Sequence, residues 1–238
     1  MQASAPLYIQ IAEELRHNIE QSVYPVGGQL PTEAELSTRF GVNRHTLRRA
    51  IEVLRNEGLV RVDRGRGSFV AAAPIAYTIG KKVRYTDTLK AQGFKPTIQN
   101  LRVVDIPADQ AIAQKLAIAL GESVILLERL SFADEIPISV ASSHFPAALF
   151  PNLIEHCSSY HSVSKMLQQE YNCDHIRRST RISARCVQPR DARLLGLAFN
   201  APILLSESIN VDQQGRIIEY GLTRFRGDRM ELVFENDE

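Results

Sequence analysis

Arg44, His45, Arg48 and Arg49 fall within six consecutive positions of a stretch whose apolar members, Leu47, Ala50, Ile51 and Leu54, stand at i, i+3, i+4 and i+7. That spacing predicts a helix that buries one stripe on a small core and leaves Arg44, His45, Arg48, Arg49 and Arg55 around the rest of its surface. An apolar back and a basic front give a helix the shape and charge to lie in a DNA major groove. Arg44 and Arg48, one turn apart, are the candidates for reading base edges, and Arg49 for holding phosphate. Taken alone, the same charge run also fits a solvated helix face.

Elsewhere the residues suit binding better than catalysis. No nucleophile with its base, no carboxylate pair and no metal cluster stands at convincing spacing. The nearest metal set, His156, Cys157 and His161, falls at a loop or helix end and reads as surface polarity. Cys157, Cys173 and Cys186 form no Cys-x-x-Cys pair and leave an odd thiol, so neither a disulfide framework nor a zinc ribbon is expected, nor any cofactor. Arg181, Arg185 and Arg224 sit on strand patterns rich in Ser and Thr, a combination that suits a phosphate or phosphonate. Strict alternation would put Arg177, Ser179, Arg181 and Ser183 on one side of their strand and Ile176, Arg178, Thr180 and Ile182 on the other. A solvated sheet face laced with cross-strand ion pairs fits that polar side equally.

The elements that must position these residues can be read in order. Tyr8, Ile11, Ala12, Leu15 and Ile19 predict a first helix over residues 7–22, closed by the turn Tyr24 to Gly28. Thr32 and Glu35 have capping-box spacing and start a second helix that stops at Gly41, and Asn43 caps the third. Two helices joined by about three residues are helix-turn-helix geometry. Residues 59–62 and 68–70 then read as two short strands around a basic tip at 63–67, so three helices and a hairpin make a winged helix whose Arg64 and Arg66 can reach the DNA backbone or minor groove. Residues 71–74 form a small-residue bridge. Beyond it, strands are expected at 97–104, 123–132, 136–145, 175–186, 203–211, 216–225 and 231–234. Helices are expected in the stretch ending at Gly93, after Pro107 to near Gly121, and at 149–155, 163–171 and 189–197. Strands linked mainly by hairpins, with helices between them, predict an α+β domain on an antiparallel sheet. The expected domains are 1–73 and 74–238.

Length and composition agree with two soluble domains: 238 residues, 44% apolar, no apolar run near the ~20 residues of a membrane span and no signal-peptide layout at residues 1–6. A cytoplasmic protein is expected, with no membrane partner. Net charge is only +1, yet residues 39–66 hold eight arginines against Glu52, Glu57 and Asp63, while residues 74–238 balance nineteen basic against nineteen acidic side chains. Phosphate affinity comes from such local clusters, and this one is confined to the first domain.

Pro6-Leu7-Tyr8, Tyr24-Pro25-Val26-Gly27, Leu30-Pro31-Thr32-Glu33, Phe40 through Ala50, Gly58-Leu59-Val60 and Gly65 through Val70 resemble the DNA-binding domain of the GntR family of bacterial transcription factors. The resemblance implies that Asn43, Arg44, His45, Thr46 and Arg48 meet DNA together with Gly65 and Arg66 of the wing. Some relatives carry an arginine just after the acidic residue of the second helix, where this chain has Ala34. Residues 78–235 are similar to the effector-binding (UTRA) domain of the HutC branch, which shares its fold with chorismate lyase. The likeness lies in Leu89 to Pro96, Pro107 to Gly121, Leu126 to Asp134, Pro137, Glu219-Tyr220 and Arg226 to Arg229. Residues 177–185 and 219–224 most resemble regulators of phosphonate uptake and breakdown.

In sugar-phosphate-binding members of that branch, two arginines two apart grip the phosphate, and those places here hold Arg129 and Ser131. Further ligand-binding positions correspond to Thr86, Ser162, Ser164, Glu219 and Phe225, and a ligand-binding glutamate has become Ala141. The expected effector site is therefore Thr86, Arg129, Ser162 and Glu219 with Arg181 and Arg224, taking a phosphorus anion smaller than an amino-sugar phosphate. The expectation is a homodimeric repressor, bound to double-stranded operator DNA and released by a small anion, that controls phosphonate genes. The alternatives are a HutC-type repressor of a histidine, sugar or amino-sugar pathway, and an enzyme with a fused DNA-binding domain.

Overall fold

The structure, a computed structural model, describes residues 5–63, 65–71, 74–83 and 85–235. The chain divides into two compact units, Met1–Ala73 and Pro74–Glu238, each with its own core. The first unit runs α1 (Leu7–Glu20), α2 (Glu33–Phe40), α3 (Arg44–Asn56), β1 (Val60–Asp63) and β2 (Gly67–Val70). Its capping box forms: the Glu35 amide donates to Thr32 Oγ1 at 3.3 Å and the Thr32 amide to the Glu35 carboxylate at 2.8 Å. Gly41 closes α2 in the left-handed region at φ 63°, and Asn43 Oδ1 accepts the Thr46 amide at 2.9 Å. These caps fix the turn between α2 and α3. Leu47, Ala50, Ile51 and Leu54 meet Ile11, Leu15 and Leu36 in the core, where each fully buried aliphatic side chain contributes ~1.5–3 kcal/mol.

The wing is broader than its two strands. The Leu30 amide donates to Ser68 O and the Val70 amide to Gly28 O, both at 2.8 Å, so the segment after α1, read from sequence only as a turn, lies along β2. Gln29 Nε2 donates to Arg66 O at 2.8 Å. A Cβ on Gly67, whose φ is 105°, would stand 2.8 Å from that amide nitrogen, which explains the glycine. Arg64 and half of the bridge, Ala72 and Ala73, lie outside the described residues.

The second unit runs β3 (Ile75–Thr78), α4 (Tyr85–Ala91), β4 (Pro96–Pro107), α5 (Gln110–Leu116), β5 (Ser123–Ala133), β6 (Ile136–Pro146), α6 (Leu153–His156), α7 (Val163–Tyr171), β7 (Ile176–Cys186), α8 (Pro189–Leu195), β8 (Pro202–Val211), β9 (Ile217–Arg226) and β10 (Met230–Val233). Six strands form one antiparallel sheet in the order β4-β5-β6-β9-β8-β7. The expected α+β architecture is present. On one face, Leu153, Met166 and Leu167 of α6 and α7 pack on Ile125, Leu127, Phe145 and Ile218, and Leu89 of α4 packs with Tyr77 and Phe225. On the other, Ala113 and Leu116 of α5 meet Val124 and Tyr220, and Leu195 of α8 meets Leu130 and Val140.

Three expectations change. β3 was not foreseen; it pairs in parallel with β10, from Ile75↔Met230 to Thr78↔Val233, a partner more than 150 residues away that no local pattern announces. The helix expected at 149–155 is a 3-10 turn, Ala147–Leu149, followed by the four residues of α6, because Pro151 and Asn152 at φ 61° interrupt it. The strict alternation of β7 fails, since its register against β8 slips between Arg177 and Ser179.

Candidate functional site

On the first unit, α3 presents its polar side as expected: Arg44, His45, Arg48 and Arg49 are exposed, while Thr46 is half-buried. Their states differ. Arg48 Nε donates to both oxygens of Glu33 at 2.9 and 3.0 Å, and the Arg49 guanidinium lies 4.0 Å from the centre of the Tyr8 ring. Both are oriented by neighbours before any DNA arrives. Arg61 is committed to the wing itself, donating to Asp63 at 2.8 Å and stacking on Phe69, and Arg39 is tied to Glu14 and Tyr24. Arg44 at the start of α3 and Arg66 at the wing tip, beside Gly65, are exposed and unpaired among the described residues. The Asn43 side chain is partly spent as the cap of α3.

On the second unit, a cavity of about 140 Å3 opens against the α4 and α7 side of the sheet. Its size is close to the ~150 Å3 of an engineered cavity that takes benzene, so a small organic ion fits it. Thr86, Arg129, Ser162 and Glu219 all line it, as do Ser131, Ala141, Ser164 and Phe225. Tyr77, Tyr85 and Phe225 make an aromatic wall, with Tyr77 and Tyr85 edge to face at 5.2 Å and the Tyr85 hydroxyl 2.9 Å from Ser139 Oγ.

Arg129 is 5% exposed. Its Nε donates to Asn100 Oδ1 at 2.9 Å, and its terminal nitrogens donate to the carbonyls of Cys157 at 3.1 Å, Tyr160 at 2.9 Å and His161 at 3.3 Å. Every acceptor is neutral, so a buried cation faces the cavity without a carboxylate bonded to it, and burial lowers its pKa. The loop it holds leads into Ser162, the N-cap of α7. Ser162, Val163 and Ser164 line the cavity at this helix N-terminus, where free amides and the helix dipole favour an anion.

From Ser164 runs a buried polar chain that residue order alone does not reveal. The Ser164 hydroxyl donates to Val83 O at 2.8 Å, so at 2.8 Å from His175 Nδ1 its oxygen must accept. His175 Nε2 stands 2.6 Å from Glu219 Oε2, which Asn210 Nδ2 also approaches at 2.5 Å. The His175 ring thus bridges the Ser164 hydroxyl and a buried carboxylate. Burial raises the Glu219 pKa, but the His175 charge and the hydrogen bonds outweigh it and bring it down to about 2. With Arg129 and Arg177 also on the wall, positive charge exceeds negative among the lining residues.

Arg181 and Arg224 are not part of this cavity, which corrects the expected set. The slip at Arg178 inverts the alternation, so Arg177 pairs with Asn210 on the cavity face while Arg181 pairs with Glu207 on the reverse. There Glu207 bonds Lys115 of α5. Arg224, between the cavity-lining Thr223 and Phe225, points to the reverse face, with its Nε donating to Asp191 of α8 at 3.2 Å and its terminal nitrogens to Ser142 Oγ. Next to it Arg190 bonds Glu128 at 2.8 and 2.9 Å, and those bonds hold the Glu128 carboxyl below its usual range. That network fastens α8 to the sheet. The missed liners Ser206, Ser208 and Asn210 did carry a signal, a polar residue at every second position of β8.

Among the described residues no His, Cys, Asp and Glu group of three or more could hold a metal ion. His156 reaches Glu170 at 3.6 Å, Cys157 is buried, and His161 lends its carbonyl to Arg129. Among the described residues, no helix is long and apolar enough to cross a membrane.

Residues 7–70 match the family model of bacterial regulatory proteins, gntR family, and residues 91–231 match the UTRA domain. The chain is 35% identical, over 98% of its length and 96% of the relative's, to an uncharacterized HTH-type transcriptional regulator of Rhizobium meliloti. It is 33% identical, over 96% and 95%, to the probable transcriptional regulator PhnF of Escherichia coli. The crystal structure of PhnF from Mycobacterium smegmatis superposes with a TM-score of 0.68 at 28% identity, covering 95% of this chain and 99% of that one. The chain belongs to the GntR family of transcriptional regulators, of the HutC type that joins a helix-turn-helix domain to a UTRA domain.

Proposed function

We propose that the chain is a homodimeric cytoplasmic repressor of genes for phosphonate uptake and breakdown, released from its operator when a small phosphorus anion enters the cavity. The observation that carries the anion is Arg129, buried beside the α7 N-terminus with only neutral oxygens on its donors. The resemblance of residues 177–185 and 219–224 to phosphonate regulators supports the pathway. Ser131 and Ala141 on the cavity wall, where sugar-phosphate-binding members hold an arginine and a glutamate, favour a small anion over an amino-sugar phosphate. On the DNA side, Arg44 and Arg48 read bases, Arg49 and Arg66 hold phosphates, and Asn43, His45, Thr46 and Gly65 complete the contact. One winged helix covers too little DNA for strong specific binding, so two are needed on a palindrome with half-sites about one helical turn apart. The UTRA unit, with most of the apolar sequence, is the dimerisation unit.

An enzyme is the second reading, favoured by the Ser164, His175 and Glu219 chain in a lyase-like fold. Its weakness is that the Ser164 hydroxyl is already bonded to Val83 O as well as to the imidazole, and the imidazole is held against Glu219, so the three groups satisfy one another. Transcription from the chain's own promoter, compared with and without the gene and with and without a phosphonate in the medium, tests the role. Derepression by deletion and by phosphonate is expected; turnover of the phosphonate with unchanged transcription supports the enzyme. Light scattering at micromolar concentration should show a dimer, and a monomer removes the two-site arithmetic.

A further inference from the structure

Among the described residues, two buried atoms of the cavity wall lack hydrogen-bond partners, and they have opposite polarity. Arg177 Nε is a donor without an acceptor, and Asn210 Oδ1 is an acceptor without a donor. The two residues are directly paired across β7 and β8, so their side chains emerge side by side on the cavity face. Neither can repair itself by turning. The terminal nitrogens of Arg177 are anchored at 3.0 Å each on Gly80 O and the Tyr77 hydroxyl. Asn210, 3% exposed, must keep its NH2 toward the Glu219 carboxylate, which can only accept, and this forces its oxygen the other way. Burying unsatisfied groups is costly, so the pair is a feature a ligand can exploit.

Resting on the reading of an anionic effector at Arg129 and α7, we propose that the effector also carries a hydroxyl, which accepts from Arg177 Nε and donates to Asn210 Oδ1. The charges around this spot select against the alternatives. An ammonium has no lone pair for Arg177 and would meet the Arg177 cation. A second carboxylate has no proton for Asn210 and would meet Glu219. A plain alkyl group would leave both atoms unpaired. The class is thus a short hydroxylated phosphonate or phosphate, gripped at its anion by Arg129 and the α7 N-terminus and recognised at its hydroxyl by Arg177 and Asn210.

The test is calorimetric titration of the full-length protein with ethyl- and propylphosphonate, their ω-hydroxy forms and their ω-amino forms. A hydroxy form should bind roughly tenfold or more tighter than its unsubstituted parent, and Asn210→Ala should narrow that preference. Equal binding of parent and hydroxy forms by the wild type means that a water fills the pair, and overturns the inference while leaving the anionic reading standing. Tighter binding of the amino form overturns it in favour of a cationic group. No binding of any of these anions overturns the anionic reading and this inference with it. The wild-type series decides the matter even if the Asn210 variant fails to fold.

Discussion

The arginines of α3 and the arginine of the cavity do opposite things with the same side chain. Arg44 is exposed with no partner among the described residues, and Arg48 and Arg49 are held at the surface by Glu33 and Tyr8. Arg129 is buried and spends four donors on the protein's own carbonyls and Asn100. An exposed cation is free to meet a phosphate or a guanine and contributes little to stability, whereas a buried one is part of the fold and changes its surroundings whenever its field is compensated. The comparison teaches which positions separate binding from stability and which cannot.

It breaks most visibly at Arg129. Arg129→Met leaves the carbonyls of Cys157, Tyr160 and His161 without their donor and should cost about 3 kcal/mol or more, read as a fall in thermal midpoint of roughly 6–12 °C. A midpoint within 2 °C of wild type would mean that the guanidinium carries no structural weight. Next is the buried pair. The Glu219 pKa is depressed, so its contribution is present above the unfolded carboxylate value of ~4.3 and is lost as pH falls through about 2. That depression corresponds to about 3 kcal/mol. Denaturant unfolding between pH 5 and 2 should show this loss in the wild type and a much flatter profile in Glu219→Gln.

On the exposed side the effects move to DNA. Arg44→Ala should leave the thermal midpoint unchanged and lose ~1–3 kcal/mol of discrimination between operator and altered half-sites. Arg66→Ala should weaken all sequences alike and flatten the salt slope by about 1. Equal operator affinity of Arg44→Ala, Arg48→Ala and wild type would remove α3 from the interface. The smallest effect is expected at Arg181: facing Glu207 on the reverse of the sheet, Arg181→Ala should keep its response to anion and shift stability by less than ~1 kcal/mol. Loss of the response would return that arginine to the effector site.

The contrast also explains what could be read from residue order. The winged helix rests on neighbours in sequence: Leu47, Ala50, Ile51 and Leu54 repeat at helical period, Thr32 and Glu35 cap each other, and Gly41 and Asn43 set one turn. The cavity gathers Thr86, Arg129, Ser162, His175, Asn210 and Glu219 from separate elements, which only the sheet register brings together. Resemblance supplied Thr86, Arg129, Ser162 and Glu219, while the residue argument alone chose Arg181 and Arg224 because arginine among Ser and Thr on a strand suits a phosphate. A single extra residue at Arg178, invisible in composition, leaves Arg177 on the cavity face and turns Arg181 to the reverse. His175 and Asn210 were missed because a lone histidine at a strand edge and an asparagine mid-strand say nothing until their partner, Glu219, is placed beside them.

The central claim is that anion in the Arg129 cavity changes the affinity of α3 for DNA. Only a difference in anion affinity between DNA-competent and DNA-incompetent states can do this, and such coupling is typically ~1–3 kcal/mol. Fluorescence anisotropy of the full-length protein on its own promoter DNA, titrated at fixed salt with and without a saturating short-chain phosphonate, measures it directly. The account predicts a roughly 5- to 150-fold rise in Kd. An unchanged Kd, with calorimetry showing the phosphonate bound, would contradict it.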